Sequence, residues 1–161
     1  MPNEGDELAR DRTVLRLVRN VPVFVPDGMR FPTGDAFRPS ESDKKEAETR
    51  GRPVRVSVWD LCITTIPQAR SFRATNDLQR SFALRVANII KIQTQMSEPR
   101  LRAVSDPRPD HEGPGAAGHC GIEGLDRPPQ GRKVIQRALL DALAREVVEV
   151  DDGGMPIEQK R

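Results

Sequence analysis

The residues best suited to chemistry crowd into one short stretch, GHCGIEGLDRPP from Gly118 to Pro129. It sets one of the chain's two histidines, His119, directly beside one of its two cysteines, Cys120, among glycines. A thiol next to an imidazole suggests a nucleophile with its base, or two ligands of one metal ion. Extended geometry argues against both, because neighbours along a strand point to opposite faces of the sheet. His119 then shares a face with Gly121 and Glu123. Cys120 and Ile122 take the other, where a free cysteine packs as a small hydrophobe. Gly121 leaves a notch between His119 and Glu123 that a backbone or a ligand can approach closely.

The remaining chemical groups form weaker patterns. Cys62 could pair with His119 as a thiolate only if their strands are neighbours, and no oxyanion-type glycine motif surrounds it. Asp106, Asp110, His111, His119 and Cys120 lack the paired short spacings of a zinc site, so no metal and no cofactor is expected. Neither GxxxxGK[ST] nor a GxGxxG between strand and helix is present, which removes the common phosphate loops. Arg132 and Lys133 open the last helical stretch, where they oppose the macrodipole unless an anion sits there, so they form a candidate anion site. Trp59 falls on the polar side of its strand with Arg55 and Ser57, either lining a pocket or covered by a second packed layer.

At 161 residues the chain has room for one domain, read as 13–150 between flexible tails at 1–12 and 151–161. Hydrophobic residues make up 36%, below the usual share of about 45–50%, so the core is modest and the loops long. With 26 basic against 24 acidic residues the formal charge is +2, too small to steer a polyanion. Nucleic acid is disfavoured further by the lack of tyrosine and the scarcity of other aromatic platforms. Only Lys44, Lys45, Lys91, Lys133 and Lys160 are lysines, and the arginine forks that replace them suit carboxylate and phosphate. No secretory leader and no apolar run of roughly 18 residues is evident, so no membrane segment is expected. Two unpaired cysteines fit a reducing cytoplasm.

These groups need elements to hold them. Thr13–Val25 is rich in β-branched residues and is broken by Pro22, which predicts an edge strand or two short ones. Pro26–Pro53 reads as a long charged surface loop. Val54–Trp59 alternates as a strand, and Thr65 with Gln68 forms a capping box for a short helix. Leu78, Phe82, Val86, Ile89 and Ile90 make an i, i+4 stripe that predicts a helix opening at Asn76. Arg100–Ser105 and Gly118–Leu125 read as strands around an irregular Pro/Gly-rich stretch. Ile135, Leu139, Ala142, Leu143 and Val147 mark a final amphipathic helix. This order predicts an α/β or α+β fold, a small mixed sheet with two main amphipathic helices packed on it.

The spaced segments DAFRPS, VSVW, RAVSDPRP, HCGIEGL and ALLDALAREV resemble the layout of a group of small bacterial proteins without an assigned activity. The resemblance runs from Arg16 to Val148, implies a bacterial source, and points to Phe37, Arg38, Ser57 and His119. A second likeness concerns order alone: Arg16 or Arg19, then Ser57, then Glu123 is similar to the Arg, Ser, Glu order of one ADP-ribosyltransferase class. That resemblance implies an arginine on dinucleotide phosphates, a serine at the nicotinamide ribose, and a glutamate orienting the nucleophile. The chain departs from the pattern, since VSVWD lacks the Ser-Thr-Ser cluster and no Glu-x-Glu or Gln-x-Glu precedes Glu123.

Two readings of function follow. The first is a non-catalytic binding module whose partner is another protein, engaged through the charged stretch Gly28–Pro53. The second is an enzyme acting on a nucleotide or another small anionic molecule, with His119, Glu123, Ser57 and one of Arg16, Arg19 or Arg38 in a cleft. The second requires these side chains to converge on one concavity, with His119 within hydrogen-bond reach of a partner.

Overall fold

A computed structural model of the chain describes residues 3–73, 79–95, 101–108, 111–126 and 133–157. Its strands are β1 (Thr13–Arg19), β2 (Arg55–Asp60), β3 (Gln79–Arg85), β4 (Arg102–Ser105), β5 (His119–Glu123) and β6 (Val148–Glu149). They form one sheet in the order β4-β5-β2-β1-β3-β6, with every pairing antiparallel. The helices are α1 (Glu41–Arg50), α2 (Ile66–Arg73), α3 (Val86–Gln95), the single turn α4 (Pro114–Ala117) and α5 (Lys133–Glu146), and a 3₁₀ turn spans Gly34–Phe37. The fold is α+β, with an antiparallel rather than a mixed sheet.

Alternation along each strand assigns the two faces. Val14, Val18, Val56, Val58, Phe82, Leu84, Cys120 and Ile122 pack with Ile89 of α3 and Leu139, Leu140 and Leu143 of α5. On the opposite face Leu15, Leu17 and Trp59 pack with Ile66 and Ala69 of α2. Trp59 is therefore buried because a second layer covers it, and α2 starts where Thr65 and Gln68 exchange capping bonds of 2.9 and 3.3 Å. The Gly34–Phe37 turn is pressed onto α5. A Cβ at Gly34 would come within 3.0 Å of backbone atoms of Leu140 and Asp141, so only glycine permits that approach.

Four sequence expectations are corrected. The stretch read as an edge strand or two short ones gives one interior strand, β1, paired with β2 on one side and β3 on the other, and it ends before Pro22. The stripe read as one long helix divides at Arg85. Gln79–Arg85 is strand β3, which pairs with β1 over seven residues from Thr13–Arg85 to Arg19–Gln79, and the helix begins only at Val86. Asn76, Asp77 and Leu78 lie outside the described residues. The stretch read as a loop contains α1, a helix with Ala47 as its one buried residue. It is held by local chemistry: Ser40 and Asp43 form a capping box, and Gly51 closes the helix in the left-handed conformation at φ 61°. The N-terminal stretch is tied down, because Gly5 N and Leu8 N donate to Ser105 O and Ala103 O, and Ser105 N donates to Asp6 O. At the other end Ile157 N donates to Glu149 O, holding the chain back against β6. Among the described residues no helix is long and apolar enough to cross a membrane.

Candidate active site

A split in the sheet makes the site. β1 pairs with β2 only at Val14–Asp60 and Leu15–Trp59, while its ladder to β3 continues to Arg19. Beyond Leu15 the two strands part. The Arg16 guanidinium enters the gap, with Nη1 donating to Ser57 O at 2.9 Å and Nε to Ala36 O at 3.0 Å. A cleft of about 870 Å³ opens there, walled by the end of β1, the Asp35–Asp43 stretch, Glu46 of α1, Phe72 of α2, and Arg108 and His111. Ser57, Trp59 and His119 also line it.

Strand register brings the reactive groups together. β2 and β5 pair with Trp59 opposite His119 and Ser57 opposite Gly121, which makes Ser57 and His119 diagonal neighbours on one face. His119 is 3% exposed. Its Nε2 lies 3.0 Å from Ser57 Oγ, and its Nδ1 lies 2.8 Å from the backbone oxygen of Asp106. Arg108 Nε also approaches Nδ1, at 3.3 Å, but the shorter contact is to the Asp106 carbonyl, which only accepts, and this places the proton on Nδ1. In the neutral ring Nε2 is then the acceptor, and the Ser57 hydroxyl donates to it. The backbone of Asp106 thereby sets the tautomer that a general base beside a hydroxyl requires.

The Asp106 carboxylate is fully buried and surrounded by cations. Arg52 Nη1 sits 2.5 Å and Arg55 Nη1 3.3 Å from Oδ1, while Arg108 Nη2 and His119 Nδ1 each lie 3.4 Å from Oδ2. Burial pushes this carboxyl up. The Arg52 hydrogen bond and the nearby charge of Arg108 outweigh burial and hold it below the ordinary carboxylate range. Oδ2 makes no hydrogen bond among the described residues, so that oxygen faces the ring ready to meet an imidazolium charge. Arg108 also grips Glu46 of α1 with two nitrogens, tying the segment that follows β4 to the far wall of the cleft. That contact draws the Glu46 carboxyl down, chiefly through the Arg108 hydrogen bond and against the effect of burial.

The structure brings together Ser57, His119, Arg16, Arg19 and Arg38, all of which line the cleft. Arg38 is bound to Asp35 at 3.2 Å on the exposed rim. Glu123 stands apart. It lies four residues along β5 from His119, about 13 Å at the usual rise, where it is buried and accepts from Arg55 Nε at 2.8 Å. The notch at Gly121 is likewise closed: a Cβ there would lie 2.6 Å from Arg55 Cβ, because the Arg55 stem crosses the glycine to reach Glu123. The Arg, Ser, Glu set is therefore not assembled in one place. Lys133 opens α5 exposed and away from the cleft, and Arg132 lies outside the described residues, as does Asp110.

Cys120 is buried on the opposite face from His119, and its thiol is pushed up to about 12, first by burial and then by the charge of Asp60. Cys62 is exposed, and both ring nitrogens of His119 have other partners. No group of three or more metal-ligating side chains gathers among the described residues. His111 lies at the cleft edge, 5.1 Å from the Phe72 ring.

Sequence reasoning weighed Asp106 only as a metal ligand and passed over Arg108 and Glu46. One signal for Asp106 was present: it directly follows the strand RAVS, and once Ser105 pairs with Cys120 the next residue must face His119. Arg108 and Glu46 carried no such signal, since they meet across 62 residues. No family model matches the chain, and comparison with curated proteins and with solved structures returns no match.

Proposed function

We propose that the cleft is the active site of an enzyme acting on a small anionic molecule, with Ser57 as nucleophile and His119 as its general base. The observation that carries this reading is the 3.0 Å contact between Ser57 Oγ and His119 Nε2 in the cleft wall, with the ring proton held on the other nitrogen by Asp106 O. As Oγ bonds to an acyl or phosphoryl centre, its proton passes to Nε2, and the imidazolium faces the Asp106 carboxylate. His119 then returns that proton to the leaving oxygen as its bond breaks. A water deprotonated by His119 releases the product and restores the Ser57 hydroxyl. Arg16, fixed beside Ser57 by its bonds to Ser57 O and Ala36 O, is placed to offset charge that develops on the substrate.

The alternative of a protein-binding module drew on the charged stretch Gly28–Pro53 as a loop. That stretch folds into α1 and supplies Asp35, Arg38, Asp43 and Glu46 to the cleft wall, so its charges favour the small-molecule reading. The test is hydrolysis of p-nitrophenyl esters of carboxylic and phosphoric acids by wild-type protein and by the Ser57→Ala and His119→Ala variants. Turnover of at least one ester is expected, falling by about 10²-fold or more in each variant, as loss of a nucleophile or its base entails. No turnover of any ester, or turnover in either variant equal to that of the wild type, overturns the reading.

A further inference from the structure

We propose that the cleft accepts a phosphate ester whose organic half is a planar aromatic ring, such as an aryl phosphate or a nucleoside monophosphate. The proposal rests on the active-site reading of the cleft but is carried by residues other than Ser57 and His119. The cleft has two walls of different chemistry. On one, rings follow one another in contact: Trp59 to Phe72 at 6.3 Å and Phe72 to His111 at 5.1 Å, each edge-on. Trp59 is buried, Phe72 half-buried and His111 exposed, so the series surfaces inside the cleft and offers a further ring an aromatic neighbour. A flat apolar group gains there what an aliphatic chain gains less well.

The other wall is cationic. Each carboxylate on it is shared among several donors: Asp35 takes Arg38 and Arg137, and Glu46 takes Arg108, Arg50 and Arg52. Asp43 is turned onto the backbone N–H of Ser40. Four guanidinium groups, those of Arg16, Arg19, Arg38 and Arg108, line the cleft beside the carboxylates of Asp35, Asp43 and Glu46, which puts several N–H forks within reach of one bound anion. Forks reaching in from separate elements, Arg16 on β1 and Arg38 after the 3₁₀ turn, suit a tetrahedral group with several oxygens. A planar carboxylate is satisfied by a single fork. The cleft volume of about 870 Å³ lies within the range of small-molecule sites.

Isothermal titration calorimetry on the Ser57→Ala protein separates this proposal from the catalytic one, since binding is read without turnover. The probes are inorganic phosphate, phenyl phosphate, AMP, adenosine and benzoate. Phenyl phosphate or AMP is expected to bind about tenfold more tightly than inorganic phosphate, benzoate or adenosine, the difference one ring contact supplies. Phe72→Ala is expected to erase the preference for the ring-bearing phosphate over inorganic phosphate. Arg38→Ala is expected to weaken all phosphates alike. Adenosine binding as tightly as AMP, benzoate matching phenyl phosphate, no saturable binding of any phosphate, or no response to either variant overturns the proposal. Saturable binding with no ester turnover by the wild type overturns the nucleophile assignment alone.

Discussion

Asp106→Asn separates the two services that Asp106 renders to His119. The backbone carbonyl that holds the Nδ1 proton, 2.8 Å away, survives the change, so the ring keeps its tautomer and loses only the neighbouring charge. At 3.4 Å and an effective dielectric constant of about 20, two unit charges interact by about 5 kcal/mol. The asparagine oxygen recovers part of that as a dipole, leaving a rise of about 3–4 kcal/mol in the barrier to proton transfer, or roughly 10²–10³-fold in rate. Stability falls as well, because Arg52 and Arg55 lose a buried counter-charge; removing one member of a buried pair costs about 3–5 kcal/mol. Arg52 retains Glu4 and Glu46, and Arg55 retains Glu123, which places the cost near the lower figure and below the roughly 5–15 kcal/mol stability of ordinary domains. The assay is the rate of reaction with an activated ester, taken at temperatures where circular dichroism shows the variant folded. A folded variant reacting at the wild-type rate refutes the role given to the carboxylate.

Other consequences are structural. Gly121→Ala should destabilise by about 1–3 kcal/mol in urea unfolding, since the new Cβ would meet the rigid start of the Arg55 side chain rather than its mobile end. At pH 8 a thiol reagent should modify one cysteine in the native protein, Cys62, and both after denaturation, because the buried Cys120 thiol stays protonated. Asp106, Glu46 and Glu149 have folded-state values below their ordinary ones. The stability they contribute is therefore full above the unfolded carboxylate range of about pH 4 and is lost as pH falls through the lower folded-state values. Glu149→Gln removes the charge that Arg80 and Arg30 share and leaves one acceptor oxygen where the carboxylate offered two, so it should flatten that acid limb of the stability profile while lowering the plateau by about 2 kcal/mol.

The strands and helices with an unambiguous period were legible. Val54–Trp59 alternates between two kinds of residue, and α5 carries its apolar stripe on one side, so each could be placed before its partners were known. β3 was not legible, because Phe82 and Val86 serve a helical stripe as well as Phe82 and Leu84 serve an alternating one. A seven-residue partner in β1 decides between them, and tertiary pairing overrides the local pattern. α1 was missed for the opposite reason: it has almost no apolar face, and its signal was the Ser40–Asp43 box with Gly51. At the site, alternation correctly separated His119 from Cys120 and put Ser57 on the cleft side. The same rule misplaced Glu123, since sharing a face does not mean sharing a pocket when Arg55 lies between. Asp106 and Arg108 became visible only through the β4–β5 register.

Ser57 is proposed as a nucleophile activated by His119. Peptide mapping by mass spectrometry after treatment with a small fluorophosphonate tests it most directly. One adduct is expected, on Ser57, absent from Ser57→Ala and formed about 10²-fold more slowly in His119→Ala. An adduct elsewhere, none at all, or Ser57 modification at an unchanged rate without His119 would contradict it.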